Sequence, residues 1–188
     1  MTLTTHLPTK LPADLVRFPY SRNDLLPLRP NILWRIEWGT VRTLTKSEEG
    51  TVVTLGYWGT GDVVGHSLSR LQPHQMECLT SVEVVRIPSH NWHQVLNEII
   101  SHLQQTEELL SIVRNERVYQ RLQQLLVWLG NKFGRPVPSG KLIDLRLTHQ
   151  SLAELIGTTR VTVTRLLKEL EEEGTIIRQQ RHYIILRD

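Results

Sequence analysis

The sequence predicts an α+β fold: an antiparallel β unit, then a long helix, then a helix-turn-helix closed by a β-hairpin. Three observations predict it. Residues 31–88 alternate apolar and polar side chains in short runs broken by Gly, Pro, Asn and Ser. Leu96, Ile99, Leu103, Thr106, Leu110 and Val113 then step by 3, 4, 3, 4, 3, the seam of a coiled coil. Ala153, Gly157, Val163 and Leu166 fall at intervals of 4, 6 and 3, which suits two short helices crossing at a glycine turn.

The strands are NILWRIEWGTVRTLT, GTVVTLGYWGTGDVVG and ECLTSVEVVRIP. Trp34, Trp38 and Trp58 lie in them and read as packing residues. At Ser89 the pattern turns helical and stays so to about Arg117. Its apolar stripe either covers the β unit or meets a partner helix. The strict 3,4 spacing and the polar flank HLQQTEE favour a partner helix. A second helix spans about Val118 to Phe133, with Leu122, Leu125, Leu126 and Leu129 on one face. FGRPVPSG then reads as a loop, KLIDLRL as a short strand, and TIIRQQRHYIILRD as two strands joined by a polar turn.

Between them, Thr148 opens two helices separated at Gly157. Ala153 must be small because the second helix crosses close to it, and Gly157 allows a positive φ. The second helix begins badly, since TTRVTVT is rich in β-branched residues that each cost a few tenths of a kcal/mol. Packing overrides that cost, because Val163, Leu166, Leu167 and Leu170 form one helical face. The opposite face presents Thr159, Arg160, Thr162, Thr164 and Arg165. Short hydroxyls can reach phosphates, and a guanidinium can bond bidentately to guanine O6 and N7. Val161, apolar near the helix start, suits contact with a thymine methyl. For either arginine alone the plainer reading is a solvated helix with a pair to Glu169. Arg178, Arg181 and His182 near the hairpin turn suit phosphate contacts or simply an exposed polar tip.

Composition narrows the function class. Residues 1–116 carry 10 Lys+Arg against 12 Asp+Glu, and residues 117–188 carry 12 against 7, so the positive charge lies with the helix-turn-helix. Cys78 is the lone cysteine, which excludes an internal disulfide, a CxxC zinc pair and a four-cysteine iron–sulfur cluster. A reducing, cytoplasmic setting is expected, with no signal peptide and no apolar run of about 18 residues to cross a membrane. His66, His74, His90, His93 and His102 show neither HxH nor HExxH spacing and read as surface residues, so no metal site is expected. No catalytic set appears, and an enzyme is not expected.

The stretch FGRPVPSGKLIDLRLTHQSLAELIGTTRVTVTRLL, Phe133 to Leu167, resembles the cyclic-AMP-receptor-protein and FNR (CRP/FNR) family, above all its cyanobacterial global nitrogen regulators of the NtcA type. EWGTVRT, GTGDVVG and the long helix carry a weaker likeness over about Ile32 to Leu129. The resemblance implies a shortened antiparallel β-roll like a cyclic-nucleotide-binding domain over 1–94, a dimerisation helix over 95–117, and a winged helix-turn-helix over 118–188. It implies that Arg160, Val161 and Arg165 read bases, and that Thr148, Gln150, Thr159, Thr162 and Thr164 hold phosphates, joined by Arg178 and Arg181 of the wing. A homodimer would then bind a palindrome of double-stranded DNA with GTA and TAC half-sites. RNA polymerase or a co-regulator is a candidate further partner, and no membrane is.

The sensor half departs from the family pattern. The family's Gly-Glu and Arg-Ser pairs appear here as Gly65-His66 and Gln72-Pro73. Cyclic AMP is therefore not expected, because its phosphate would be unpaired in a low-dielectric pocket. Where the nitrogen regulators use arginines for 2-oxoglutarate, this chain has Gln72 and His102 and keeps Glu107, so that ligand is not expected either. Gly65, His66, Gln72, His102 and Glu107 outline the candidate effector pocket, degenerate or repurposed, with no cofactor expected. Arg117 stands where the family often caps the next helix with aspartate. Two rival readings are a regulator gated by another small molecule and a protein-interaction adaptor using its helix-turn-helix.

Overall fold

The computed structural model describes residues 16–179 and 182–186. Two compact units emerge. The described residues up to Glu49 with Leu55–Gln105 form one, and Gly50–Thr54 with the residues from Thr106 onward form the other. The division falls inside the long helix.

The first unit is an antiparallel roll of β1 (Arg17–Tyr20), β2 (Ile32–Trp38), β3 (Val41–Lys46), the part of β4 (Val52–Trp58) from Leu55 onward, β5 (Val63–Val64), β6 (Gln75–Cys78) and β7 (Val82–Pro88). One sheet runs β1-β7-β2-β5, and the other runs β4-β3-β6. Strand β2 is buried on both faces. Trp34 and Ile36 join a cluster with Trp58, Val64, Met76 and Val84, while Leu33 joins Val63, Val85, Ile87 and Val95. β1, RFPY, escapes the sequence pattern because Pro19 argues against a strand. It is tolerated here because β1 lies at the sheet margin, pairing only with β7. Trp38 is a correction: a register shift between Ile36 and Trp38 leaves its ring 69% exposed.

After a 3-10 stretch, Ser89–Val95, helix α1 spans Leu96–Val113. The exposed apolar stripe on it is Leu96, Ile100, Leu103 and Leu110. Ile99, expected on the seam, instead packs half-buried against the Leu33 and Val95 cluster, because the roll already claims that side of the helix. Thr106 is exposed and Val113 half-buried.

The second unit continues with α2 (Val118–Phe133), β8 (Gly134–Val137), β9 (Gly140–Ile143), α3 (His149–Ile156), α4 (Arg160–Glu172), β10 (Ile176–Gln179) and β11 (His182–Leu186). Its sheet runs β10-β11-β9-β8. The stretch expected as a loop at 134–140 is thus largely strand, and Pro136 is accommodated because β8 is an edge. Leu122, Leu125, Leu126 and Leu129 of α2 are buried as the spacing predicts. Gly130 lets α2 approach the wing, since a Cβ there would meet Ile185 Cδ1 at 2.5 Å.

Candidate nucleic-acid interface

Local chemistry sets both helices of the turn. Thr148 caps α3 in a capping box: its Oγ1 accepts from Ser151 N at 2.9 Å, and Ser151 Oγ accepts from Thr148 N at 2.9 Å. Gly157 ends α3 at φ 65 and ψ 53, and Thr158 N donates back to Ala153 O at 3.0 Å. Thr159 then caps α4, accepting from Thr162 N at 3.1 Å. Val163, Leu166, Leu167 and Leu170 are all at most 3% exposed. At about 1.5–3 kcal/mol for each side chain buried, they outweigh the poor propensity of the first turn.

The other face of α4 is open. Val161 is 79% exposed, and Arg160, Thr164 and Arg165 are exposed beside it. Arg165 Nη1 lies 3.5 Å from Glu169 Oε2, a pair worth a few tenths of a kcal/mol and easily exchanged for another acceptor. Thr164 Oγ1 donates to Arg160 O at 2.9 Å. Gln150 Nε2 donates to Glu154 Oε1 at 3.1 Å. Arg178 is exposed on β10, while Arg181 lies outside the described residues.

His149, which the sequence reading passed over, joins these residues. Its Nδ1 is 2.7 Å from Thr164 Oγ1. Its pKa is held below the ordinary histidine value, first by burial and then by the Arg178 and Arg160 charges, with Glu171 opposing them. The start of α3, the outer face of α4 and the first strand of the wing thus surround one basic surface. The sequence signal for His149 was its place between Thr148 and Gln150.

Residues 120–188 match the Crp-like helix-turn-helix domain family. The chain is 44% identical over 189 residues to the Regulatory protein CysR of Synechococcus elongatus, covering 97% of this chain and 90% of that protein. The chain belongs to the CRP/FNR family of transcription regulators. Another relative, the Global nitrogen regulator of Synechococcus elongatus, is 30% identical over 185 residues, covering 89% of this chain and 83% of its own length. A CRP-family transcriptional regulator from Thermus thermophilus shares the fold, with a TM-score of 0.76 and 20% identity, over 90% of this chain and 92% of the other.

In this CRP/FNR regulator two of the residues expected to outline a pocket, Gly65 and His102, pack against other side chains of the roll. Gly65 is buried, and a Cβ there would meet Leu33 Cδ2 at 2.6 Å, so its small size serves packing against β2. His102 stacks on Trp58 with ring centroids 3.8 Å apart. His66 lies beside His74, ring centroids 6.2 Å apart, and the Nδ1 of each is buried without a hydrogen-bond partner. His74 is 3% exposed, which corrects its surface reading, as the stack does for His102. Gln72 and Glu107 are both exposed. Glu107 stands on the part of α1 that belongs to the second unit, so the five expected residues are not gathered within one unit. Cys78 is buried, and burial pushes its thiol up to about 12, aided by Asp24 and Glu77.

Arg117 precedes α2 without capping it through its side chain. Arg121 takes up the hinge instead: its Nε donates to Asn115 O at 2.6 Å and its Nη1 to Ile156 O at 3.2 Å. The link between α1 and α2 and the end of α3 therefore share one guanidinium. Sequence spacing could not flag it, because both partners are backbone carbonyls.

No helix of the described residues is long and apolar enough to cross a membrane.

Proposed function

We propose that this CRP/FNR regulator is a homodimer that binds a palindromic DNA site with GTA and TAC half-sites, without cyclic AMP, 2-oxoglutarate or an iron–sulfur cluster. The observation that carries the reading is the outer face of α4, where a 79% exposed Val161 stands between arginines on a helix otherwise locked into its domain. On this reading Arg160, Val161 and Arg165 contact base edges. Thr148, Gln150, Thr159, Thr162, Thr164 and the wing arginines Arg178 and Arg181 would hold phosphates. Leu96, Leu103 and Leu110, each more than half exposed, support a partner copy along α1, with Ile100 in place of Ile99. The Trp58–His102 stack supports a roll filled by its own side chains and a dimer competent without effector.

Fluorescence anisotropy on a GTA/TAC palindrome and a scrambled duplex tests this, across salt and with and without 2-oxoglutarate. Tighter binding to the palindrome, falling steeply with salt at about 0.9 per phosphate neutralised and indifferent to the ligand, is expected. Equal binding to both duplexes would overturn the GTA/TAC reading, and salt-independent binding would favour an adaptor.

A further inference from the structure

We infer that His149 is a proton-linked phosphate ligand: it takes up a proton as DNA docks, so this regulator holds DNA more tightly as pH falls. The inference rests on the DNA-binding reading above and adds to it a residue and a regulation that the reading does not contain.

Hydrogen-bond bookkeeping assigns the imidazole's protons. Thr164 has one hydroxyl proton, and it goes to Arg160 O. At 2.7 Å from His149 Nδ1, Thr164 Oγ1 is therefore the acceptor and Nδ1 carries hydrogen. In the neutral ring Nε2 is then a bare lone pair, which repels a phosphate oxygen. In the protonated ring Nε2 gains a hydrogen and becomes a charge-assisted donor. The contact and the proton arrive together.

Burial first, and then the neighbouring positive charges, make the ring harder to protonate. Arg160 and Thr164 face it from α4, Arg178 from β10, and Glu171 alone adds a favourable charge. The first turn of α3, where His149 sits, is also the positive end of that helix. A phosphate bonded to Arg178 neutralises the larger of the two charges that oppose protonation and adds a negative one within reach. Wyman linkage then requires that proton uptake on binding make affinity rise with falling pH. Two protomers give up to two protons for each dimer.

The test is anisotropy at constant ionic strength between pH 8 and pH 6, on the palindrome and on a scrambled duplex. Wild type is expected to bind both about tenfold more tightly at pH 6 than at pH 8. His149→Gln, which can still donate to Thr164, is expected to lose most of that slope. His149→Arg is expected to bind tightly at both pH values. The His149 Cε1–H resonance of the wild-type full chain, titrated with and without duplex, reads the same linkage without any variant, and its midpoint should rise on binding. A flat wild-type profile, a slope retained in His149→Gln, or an unmoved midpoint would overturn the inference. Because the linkage runs through phosphates, a wrong choice of palindrome leaves the slope intact on both duplexes. Absence of binding to any duplex overturns the DNA-binding reading and this inference with it.

Discussion

Trp58 and His102 lie face to face in the roll, ring centroids 3.8 Å apart and planes 9° apart. Both rings are pinned at a nitrogen: Trp58 Nε1 donates to Thr43 Oγ1 at 2.9 Å, and His102 Nδ1 lies 3.0 Å from Val63 O. A carbonyl only accepts, so Nδ1 carries the proton. A polar effector entering this space would have to displace an aromatic stack that is already hydrogen-bonded. His102→Ala is expected to lower stability by about 2 kcal/mol, from the lost stack and the orphaned carbonyl. His102→Phe, which restores the stack alone, should recover part of it. Urea unfolding of the two variants checks this, and equal losses would show that stacking contributes nothing.

Arg121 joins Asn115 O to Ile156 O, so its removal strips two carbonyls of a charged donor. Arg121→Ala is expected to cost about 2–3 kcal/mol, and Arg121→Lys to recover less than half, because an ammonium lacks the planar fork. Thermal unfolding measures the loss. DNA affinity should fall as well, at temperatures where the variant remains folded.

Gly157 sits at φ 65 with open space where a Cβ would stand. The glycine is needed for backbone freedom and not for space. Gly157→Ala is expected to cost about 1 kcal/mol and Gly157→Asn less, since asparagine tolerates the left-handed region. Equal losses in chemical denaturation would count against a purely conformational cause.

His74 is buried and its pKa is lowered from 6.5, by burial first and by His66 second. The unfolded chain therefore binds the proton more readily than the folded one. Stability is full above pH 6.5 and falls as pH drops below that value toward the folded-state pKa, by at most about 1.4 kcal/mol per pH unit from this group. Denaturation midpoints at pH 7.5, 6.5 and 5.5 should show the decline. His74→Gln should flatten part of it, with His149, lowered in the same direction, supplying a further share.

Under the proposed function, Arg160→Ala should weaken palindrome binding by about 1–3 kcal/mol while scarcely changing binding to a scrambled duplex. Lys168→Ala, about two turns further along and paired with Glu172 at 3.3 Å, should change palindrome binding by less than about 0.5 kcal/mol. Equal weakening on both duplexes by Arg160→Ala would make Arg160 a phosphate contact and not a base reader.

The helix-turn-helix was legible because its determinants are local. Val163, Leu166 and Leu170 mark a buried face by spacing alone, Gly157 announces its φ, and Thr148 opens the first helix with a cap that needs only the next turn. β1 was illegible for the opposite reason: RFPY becomes a strand only because β7 lies beside it. Ile99 was misread because a 3,4 stripe says which residues share a helix face but not whether a roll or a second helix covers each of them.

By itself the sequence determined the order of sheet, long helix and helix-turn-helix, and the open basic face of α4, since side-chain period and backbone chirality act within a few residues. Only the tertiary structure decided which polar groups are enclosed. His102 and Arg121 look like any surface histidine or arginine until residues dozens of positions away close on them, Trp58 and Val63 on His102 and Ile156 on Arg121. Burial is a property of what the fold brings near and not of what stands next in the chain, and it is burial first that lowers the pKa of His74.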